Sequence, residues 1–301
     1  MYSAEVNLAV VSVRDLKKSY RKGFIPKRTQ VLTGLNFDIQ PGVVTGFLGG
    51  NGAGKTTTMK CLLGLVFPDS GELTYFGQPG LTEAAKQKIG FLPERPYFYE
   101  HLTGIEFLRF YGQLSIKMSS AQIKQRSEDL LKRVDLWHAK DRLLREYSKG
   151  MLQKVGLAQA LIHRPELVIL DEPTSGLDPD GRYYLSELIR ETASEGTAVF
   201  LSSHQLNDAE RICEQLVILR EGRLVFNGDA SGFLDQMGVH HELVLSKGGE
   251  RTVCRIDDSS EIQKRLKQVM DEGYEVLELN RQRVSLEEAF VRVGLRGEQN
   301  V

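Results

Sequence analysis

The segment from Gly49 to Thr56 (GGNGAGKT) has the pattern of glycines, lysine and threonine that binds nucleotide phosphates. It lies between an apolar run at residues 43–48, which predicts a buried strand, and a predicted helix at residues 55–65. The glycines let backbone N–H groups approach phosphate oxygens, and the helix presents its positive end to them. Lys55 is expected to reach the β- and γ-phosphates, and the Thr56 hydroxyl is expected to bind Mg²⁺. The predicted nucleotide-binding residues of this loop are Gly49, Asn51, Gly52, Ala53, Gly54, Lys55, Thr56 and Thr57.

Two acidic residues follow a second apolar run. Residues 167–170 read LVIL and predict a buried strand, and Asp171 and Glu172 come directly after it. Parallel strands deliver side chains to a ligand at their carboxyl ends. Asp171 is expected to orient the Mg²⁺ shell, and Glu172 could take a proton from the water that attacks the γ-phosphate. Without the phosphate loop, a strand that ends in a solvated acidic pair would be an equally good interpretation.

Three further segments indicate the family. The sequence YSKGM at residues 147–151 precedes a predicted helix, SGLD at residues 175–178 follows the acidic pair, and His204 follows a predicted strand at residues 198–202. This order of motifs resembles the ATP-binding cassette (ABC) ATPases. The resemblance covers roughly residues 7–230 and implies ATP and Mg²⁺ as cofactors.

The resemblance implies a site shared between two subunits. Ser148 and Gly150 would bind the γ-phosphate held by a second subunit, and Asp178 would belong to a loop that crosses the interface. His204 would contact the γ-phosphate, so that Glu172, His204 and Lys55 form the catalytic set. Tyr20 matches the aromatic residue that stacks on adenine, although a half-exposed tyrosine at a strand end is the alternative.

The sequence departs from the common family pattern at several positions. Glu94 stands where a glutamine normally touches the Mg²⁺ site and relays to the membrane subunit, and a carboxylate can still bind Mg²⁺. Thr56, Glu94 and Asp171 are therefore the predicted metal-binding residues. In the family, the segment that reads YSKGM here is called the signature segment, and Lys149 replaces a glycine that is common in it. Gly50 replaces a common proline of the phosphate loop. Glu94, the YSKGM segment and the tail at residues 276–279 and 284–290 together resemble the ATPases of type-2 ABC exporters.

Aromatic residues follow Glu94 in the segment RPYFY at residues 95–99. In the family this region receives a short cytoplasmic helix of an integral membrane permease, so we expect an aromatic groove here. The alternative is that these rings pack the helical subdomain. Further aromatic residues are interpreted as core or helix-packing residues without chemistry: Phe107, Phe110, Tyr111 and Trp137.

These motifs require an α/β fold that brings strand ends together. We predict a P-loop ATPase core with an antiparallel β subdomain, an α-helical subdomain at about residues 95–165 and a small C-terminal α+β appendage. The nucleotide-binding domain is predicted at residues 7–230 and the appendage at residues 240–301.

Local patterns predict where the main elements lie. Strands are expected at residues 8–13 and 35–39, with a loop at residues 22–29 between them. Residues 81–165 have a helical texture throughout. Glu221 and Gly222 predict a tight turn between two strands.

Composition and charge narrow the class of protein. The 301 residues are 41% hydrophobic and 26% charged, which is typical of a globular chain. Because 39 basic and 40 acidic residues give a net charge of −1, we expect no nucleic-acid partner. The three cysteines form no disulfide or metal-ligand pattern, which fits a reducing cytosol. No signal peptide and no run of about 18 apolar residues is visible, so we expect any membrane role to depend on a partner.

The sequence therefore predicts the ATP-hydrolysing subunit of an ABC exporter. Its expected partners are a membrane permease and a second ABC ATPase subunit, either identical or a close paralogue, at the cytoplasmic face of the inner membrane. The alternatives are a soluble ABC ATPase without a permease and a degenerate cassette that only binds nucleotide. Lys55, Asp171, Glu172 and His204 are all present, which argues against the degenerate cassette.

Overall fold

The computed structural model describes residues 8–22, 27–114 and 118–292. The chain divides into two compact units at the Gly228–Asp229 peptide bond. Residue 7 and residues 293–301, which the predicted domains include, and the centre of the predicted loop at 23–26 lie outside the described residues.

The strands of the described residues are β1 (Val11–Lys22), β2 (Lys27–Ile39), β3 (Val44–Gly49), β4 (Ser70–Tyr75), β5 (Gln78–Pro79), β6 (Ile89–Leu92), β7 (Leu167–Asp171), β8 (Ala198–Ser203), β9 (Gln215–Arg220), β10 (Arg223–Asp229), β11 (Val239–Lys247), β12 (Glu250–Ile256) and β13 (Glu275–Arg283). The α-helices of the same residues are α1 (Lys55–Leu62), α2 (Glu83–Lys86), α3 (Gly104–Gln113), α4 (Ser120–Arg133), α5 (Lys149–Leu161), α6 (Pro179–Ser194), α7 (Leu206–Ile212), α8 (Ala230–Gln236), α9 (Ile262–Asp271) and α10 (Leu286–Arg292).

A six-stranded sheet in the order β10-β9-β3-β8-β7-β6 forms the centre of the first unit. Strand β3 pairs in parallel with β8 and β9, and β7 pairs in parallel with β6 and β8. All residues of β3, β7 and β8 are buried, as expected for a parallel sheet covered on both faces. The carboxyl ends of these three strands therefore meet at one edge, where the phosphate loop, the acidic pair and His204 follow them.

A four-stranded antiparallel sheet in the order β2-β1-β4-β5 packs on the central sheet. Phe37 of this sheet stacks on Phe200 of β8 with ring centroids 5.7 Å apart, and it contacts Phe47 of β3 at 5.8 Å. These three rings are buried and join the two sheets into one apolar core. The antiparallel sheet thereby carries Tyr20 to the edge where the phosphate loop lies.

Several predicted boundaries are wrong in this region. Strand β1 begins at Val11 and not at residue 8, and it continues to Lys22. Strand β2 begins at Lys27, so both ends of the predicted loop are strand. The polar ends of these strands are held by Asp69, which accepts hydrogen bonds from the backbone N–H of Ser19 at 2.9 Å and from Arg28 at 2.9 Å. The hydrogen bonds from Ser19 and Arg28 hold the pKa of Asp69 well below its usual range.

Two strands interrupt segments whose sequences carry no strand signal. The first residues of β4 are polar and exposed, and only Tyr75 at its end is buried, so its pattern does not predict a strand. Strand β6 lies inside the segment predicted to be helical, and it pairs with β7 at the edge of the central sheet. Pairing with a distant strand decides both cases, and local periodicity does not contain that information.

The helical part of the first unit contains α3, α4 and α5. Capping boxes begin α3 at Thr103 and α4 at Ser119. Phe107 is buried in the helix interface as expected, with 1% of its surface exposed. Trp137 and Phe110 are not core residues, because 37% and 38% of their surfaces are exposed, so only the predicted alternative of helix packing remains for them. Nζ of Lys132 and Nζ of Lys140 lie 5.0 and 5.2 Å from the centroid of the Trp137 ring, so the ring contacts two cations at the surface.

The second unit is a small α+β domain. Its three-stranded antiparallel sheet has the order β12-β11-β13. Helix α9 packs on this sheet through a small apolar cluster of Leu243, Leu245, Ile256 and Val269. The mixed α/β architecture of the whole chain confirms the predicted fold class. Among the described residues, no helix has the length and apolar character needed to cross a bilayer.

Candidate nucleotide-binding site

The phosphate loop joins β3 to α1. Gly54 caps α1 with φ of 110°, a left-handed conformation that glycine adopts without strain. The ammonium of Lys55 donates to the carbonyl oxygens of Gly49 at 2.6 Å and of Gly50 at 3.3 Å. Burial lowers the pKa of Lys55, and the nearby charges of Glu172 and Asp171 oppose that shift. Since both acceptors are neutral carbonyls, an anionic phosphate oxygen would be a stronger partner for this ammonium.

The turn between β9 and β10 supports the back of the phosphate loop. The N–H of Gly222 donates to the carbonyl oxygen of Ala53 at 3.0 Å, and the N–H of Thr33 donates to the carbonyl oxygen of Gly222 at 2.9 Å. Gly222 has a φ of +74°, and a Cβ atom placed on it would overlap the carbonyl oxygen of Val31. This turn therefore links the phosphate loop to strand β2.

Replacing Gly222 with alanine should destabilise the protein more than the same change at a matched glycine. Gly80 has a φ of +75°, and no heavy atom lies within 4 Å of the position that a Cβ atom would take, so Gly80→Ala carries only the backbone strain, about 1 kcal/mol. Gly222→Ala adds a steric clash with Val31 and should cost about 1–3 kcal/mol more. Urea unfolding of both variants measures the difference, and equal losses would show that the clash is relieved without cost.

The acidic pair is held by a serine of the neighbouring strand. The hydroxyl of Ser202 donates to Oδ1 of Asp171 at 2.6 Å and accepts the N–H of Glu172 at 2.9 Å. Glu172 has a φ of 53°, which is the left-handed region that side chains other than glycine rarely adopt. Such strain persists only where the surroundings fix the backbone, and it is common at functional sites.

Glu172 meets His204 across the edge of the sheet. Oε2 of Glu172 accepts the backbone N–H of His204 at 3.2 Å and lies 2.6 Å from its Nδ1. Because a carboxylate is an acceptor only, this contact places a proton on Nδ1 and leaves Nε2 for a second partner. The carboxylate side chain is 12% exposed and the imidazole is 54% exposed. The pair can therefore present both a carboxylate and an imidazole to a phosphate or to its attacking water.

These residues line an open cleft of about 950 Å³, which is large enough for a nucleotide. Tyr20 and Glu94 also line it, together with Thr56 and Thr57. The full lining is Tyr20, Thr29, Gln30, Val31, Gly50, Asn51, Gly52, Ala53, Gly54, Lys55, Thr56, Thr57, Glu94, Asp171, Glu172, His204 and Glu221. The structure thus brings together, from five separate segments, the residues predicted to bind adenine, the phosphates and the metal and the residues predicted to be catalytic.

Four predicted site residues do not line this cleft: Gly49, Ser148, Gly150 and Asp178. Gly49 ends β3 directly before the loop residues that do line it, and its carbonyl oxygen accepts a hydrogen bond from Lys55. Ser148 caps α5 by accepting the N–H of Met151 at 3.3 Å, and Asp178 caps α6 by accepting the N–H of Gly181 at 3.0 Å. A Cβ atom placed on Gly176 would collide with the ammonium of Lys149, so the YSKGM and SGLD segments lie side by side. Ser148 and Asp178 are exposed and are available to a partner.

Ser202 and Glu221 belong to the site, although the sequence patterns do not single them out for it. Ser202 precedes His204 by two residues, and the pattern around Glu221 indicates only a hairpin turn. Ser202 lies near the end of β8, and Glu221 directly follows β9. Both strands pair with β3, which leads into the phosphate loop. The rule that ligands bind at the carboxyl ends of parallel strands is the signal that could have identified them.

Comparisons with known proteins agree with this geometry. Residues 32–175 match the family model described as ABC transporter. A relative from Nostoc sp., an uncharacterized ABC transporter ATP-binding protein, is 44% identical over 236 residues, which are 77% of this chain and 70% of the relative. The Nod factor export ATP-binding protein I of Paraburkholderia xenovorans is 32% identical over 306 residues, which cover 95% of this chain and 97% of the relative. A solved structure of the ATP-binding subunit of an ABC transporter has a TM-score of 0.66 and 33% identity, and the match covers 76% of this chain and 93% of that chain.

The fold and the cleft define a P-loop ATPase of the ABC type. It belongs to the ATP-binding subunits of ABC transporters, which confirms the predicted family, and it binds and hydrolyses ATP.

Proposed function

We propose that this chain powers export through a separate membrane permease, and that ATP joins it to a second ABC ATPase subunit in a head-to-tail pair. The observation that supports the proposal is that the predicted site residues fall into two separate groups. One cleft contains the phosphate loop, Glu172 and His204, whereas Ser148 and Asp178 are exposed outside it. A second subunit is the simplest source of the donors that would close the cleft over the γ-phosphate.

A concentration series tests the pairing. If the site is composite, ATP hydrolysis per chain should fall as the full-length protein is diluted towards the monomer. Hydrolysis per chain that stays constant down to a clear monomer, as measured by sedimentation under the same conditions, would contradict the paired site. The chain without ATP under the same dilution is the control for dissociation that does not depend on nucleotide.

The residues of the cleft fit distinct roles in hydrolysis. Lys55 would hold the β- and γ-phosphates, Tyr20 would stack on adenine, and Glu172 would accept the proton of the attacking water. His204 would contact the γ-phosphate through Nε2, because Glu172 occupies its Nδ1 side. In the partner's cleft, Ser148 and Gly150 of this chain would donate to the γ-phosphate at the start of α5.

The oxygen donors of the cleft fit Mg²⁺. Thr56, Glu94 and Asp171 all line it, and each offers a hard oxygen ligand. No cluster of three or more acidic, histidine or cysteine side chains in the described part of the chain could hold a metal alone. Mg²⁺ is usually bound by one or two carboxylates together with substrate phosphates, so this donor set suits a metal that arrives with ATP. The bound ion would neutralise charge that develops on the phosphates.

Glu94 provides a test of the metal site. Glu94→Ala removes an oxygen ligand and should raise the Mg²⁺ concentration needed for half-maximal turnover by about tenfold, while Glu94→Gln keeps an oxygen and should be mild. Turnover across a Mg²⁺ titration, with and without permease, measures both effects. If Glu94→Ala changes neither the Mg²⁺ dependence nor the permease-stimulated rate, Glu94 is only a surface acid.

An aromatic surface next to Glu94 suits a permease helix. Tyr97 is 84% exposed, and Tyr99 and Phe110 are 37% and 38% exposed. Tyr99 lies edge-on to Phe110 with ring centroids 5.4 Å apart, so the rings form one patch. Exposed aromatic patches of this kind mark interaction sites. Phe98 packs inward on Phe107 at 5.5 Å, so the alternative of subdomain packing applies to that ring.

The name of the Nod factor relative favours export as the direction of transport, and its match covers nearly the full length of both chains. The chain would then act at the cytoplasmic face of the inner membrane, held there by the permease. Residues 7–230 would form the nucleotide-binding domain, with a helical subdomain at about 95–165. Residues 240–301 would form the C-terminal domain.

A further inference from the structure

An arginine of α6 reaches the turn that holds His204. Nη1 of Arg182 donates to Oε1 of Gln205 at 2.8 Å, and Gln205 is the residue directly after His204. Arg182 lies one turn beyond Asp178, and its N–H donates to the carbonyl oxygen of Asp178 at 2.9 Å. One guanidinium therefore connects the start of α6, which Asp178 caps, to the segment that presents His204.

The same guanidinium has a second, incompletely formed contact. Nη1 of Arg182 lies 4.0 Å from Oδ2 of Asp208 on α7, and the two side chains are 33% and 13% exposed. Among the described residues, Nε of Arg182 and Oδ2 of Asp208 are buried atoms without a hydrogen-bond partner. A movement of about 1 Å would bring these groups into hydrogen-bonding distance. The contact can therefore tighten when α6 and α7 shift slightly towards each other.

His204 depends on such anchors because its own side chain is half exposed. The His204 side chain bonds to Glu172. The residues before and after it in the chain, Ser203 and Gln205, bond to each other through two hydrogen bonds. The hydroxyl of Ser203 accepts the N–H of Gln205 at 2.9 Å and donates to its carbonyl oxygen at 3.1 Å. Arg182 then fixes the Gln205 side chain to α6. Removing that bond takes away the contact of the Gln205 side chain with α6 and leaves the bonds of Ser203 and Glu172 in place.

We propose that Arg182 is a positioning residue for ATP hydrolysis, which holds His204 against Glu172 and couples that pair to the segment ending at Asp178. The proposal rests on the proposed function, since it assumes that Glu172 and His204 act on the γ-phosphate. Arg182 does not line the nucleotide cleft, so its effect is on turnover and not on ATP binding.

Arg182→Met removes the charge and the donors but keeps much of the side-chain volume. We expect kcat to fall about 10- to 100-fold, because a small displacement of a catalytic group has effects of this size. The KM and the affinity for ATP should change less than about threefold. Arg182→Lys keeps a donor and a charge and should recover part of the loss. Steady-state hydrolysis and equilibrium ATP binding by the full-length chain measure these quantities.

Arg190→Met is the matched control, since Arg190 lies on the same helix and is 48% exposed, and it contacts Glu187 and the carbonyl oxygen of Arg211 but not the Gln205 turn. It should leave kcat unchanged. If Arg182→Met hydrolyses ATP at the rate of Arg190→Met, or if ATP affinity falls together with kcat while Arg182→Lys recovers nothing, the positioning role is wrong. Should Arg182→Met not fold, Gln205→Met removes the acceptor alone and should give the same loss of kcat, and normal kcat there overturns the proposal.

A parallel measurement on Glu172→Gln distinguishes failure of the Arg182 inference from failure of the proposed function. If Glu172→Gln loses turnover and Arg182→Met does not, the inference fails and the proposed function stands. If Glu172→Gln itself hydrolyses ATP normally, the assignment of the catalytic pair has failed.

Discussion

Replacing Glu172 with glutamine should lower ATP turnover by about 10²–10⁴-fold and leave ATP binding intact. Glutamine keeps the size of the side chain and can still bond to His204, but it cannot accept the proton of the attacking water. Because ATP then stays bound, the variant should accumulate as an ATP-bound dimer. Hydrolysis, ATP binding and sedimentation in ATP and Mg²⁺ give the three readouts.

Glu221→Gln is a matched control for that change. Glu221 is another of the acids that line the same cleft, but it lies in the turn between β9 and β10, whereas Glu172 follows β7. It should retain turnover within about threefold. Near-normal hydrolysis by Glu172→Gln would sink the assignment of Glu172 as the general base, whatever the control does.

Two inactive chains should recover activity when they are mixed. Lys55→Ala removes the phosphate contact of the chain's own loop, and Ser148→Arg blocks the donor that the chain offers to its partner. Each variant alone should hydrolyse almost no ATP. In a mixed dimer, the loop of the Ser148→Arg chain faces the intact signature segment of the Lys55→Ala chain, so one site is complete.

With equal amounts of the two chains and random pairing, about a quarter of all sites should be complete. Turnover should therefore rise from near zero to roughly that fraction of the native rate, unless the two sites of a dimer depend on each other. Each variant mixed with more of itself is the control. If mixed chains that demonstrably form dimers stay inactive, either the sites act only as a pair or Ser148 does not complete the partner's cleft. A dimer that joins one variant chain to a native chain distinguishes these cases, because it too contains one intact site.

The segments that carry the site can be predicted from the sequence because each is locally complete. The phosphate loop needs only its own glycines between a strand and a helix, and Asp171 and Glu172 follow an apolar run that predicts a buried strand. The relation between segments is not predictable in the same way. The contact of Glu172 with His204 joins residues 32 positions apart and depends on the left-handed backbone of Glu172.

The difference between local patterns and contacts of distant segments also explains the errors in the predicted fold. The ends of β1 and β2 are rich in lysine and arginine, so local patterns indicate a loop, but pairing of Tyr20 with Thr29 and the hydrogen bonds of Asp69 make them strand. The bond from Arg182 to Gln205 likewise joins α6 to the turn that precedes α7, and neither segment of the sequence indicates the other. The residue type of Trp137 favours the core, but the ring lies at the surface, where the ammonium groups of two lysines lie over it.

The turn at Gly222 has a consequence for the thermodynamics of nucleotide binding. Its two hydrogen bonds fasten the phosphate loop to β2, and β2 pairs with the strand that carries Tyr20. The surfaces that we propose for adenine and for the phosphates are therefore joined into one body before ATP arrives. Little conformational entropy is then lost in shaping the pocket, so more of the intrinsic contact energy is available for affinity. The bound nucleotide would move with this body as a rigid unit, and the ordering that remains would be confined to the surfaces that meet the second subunit.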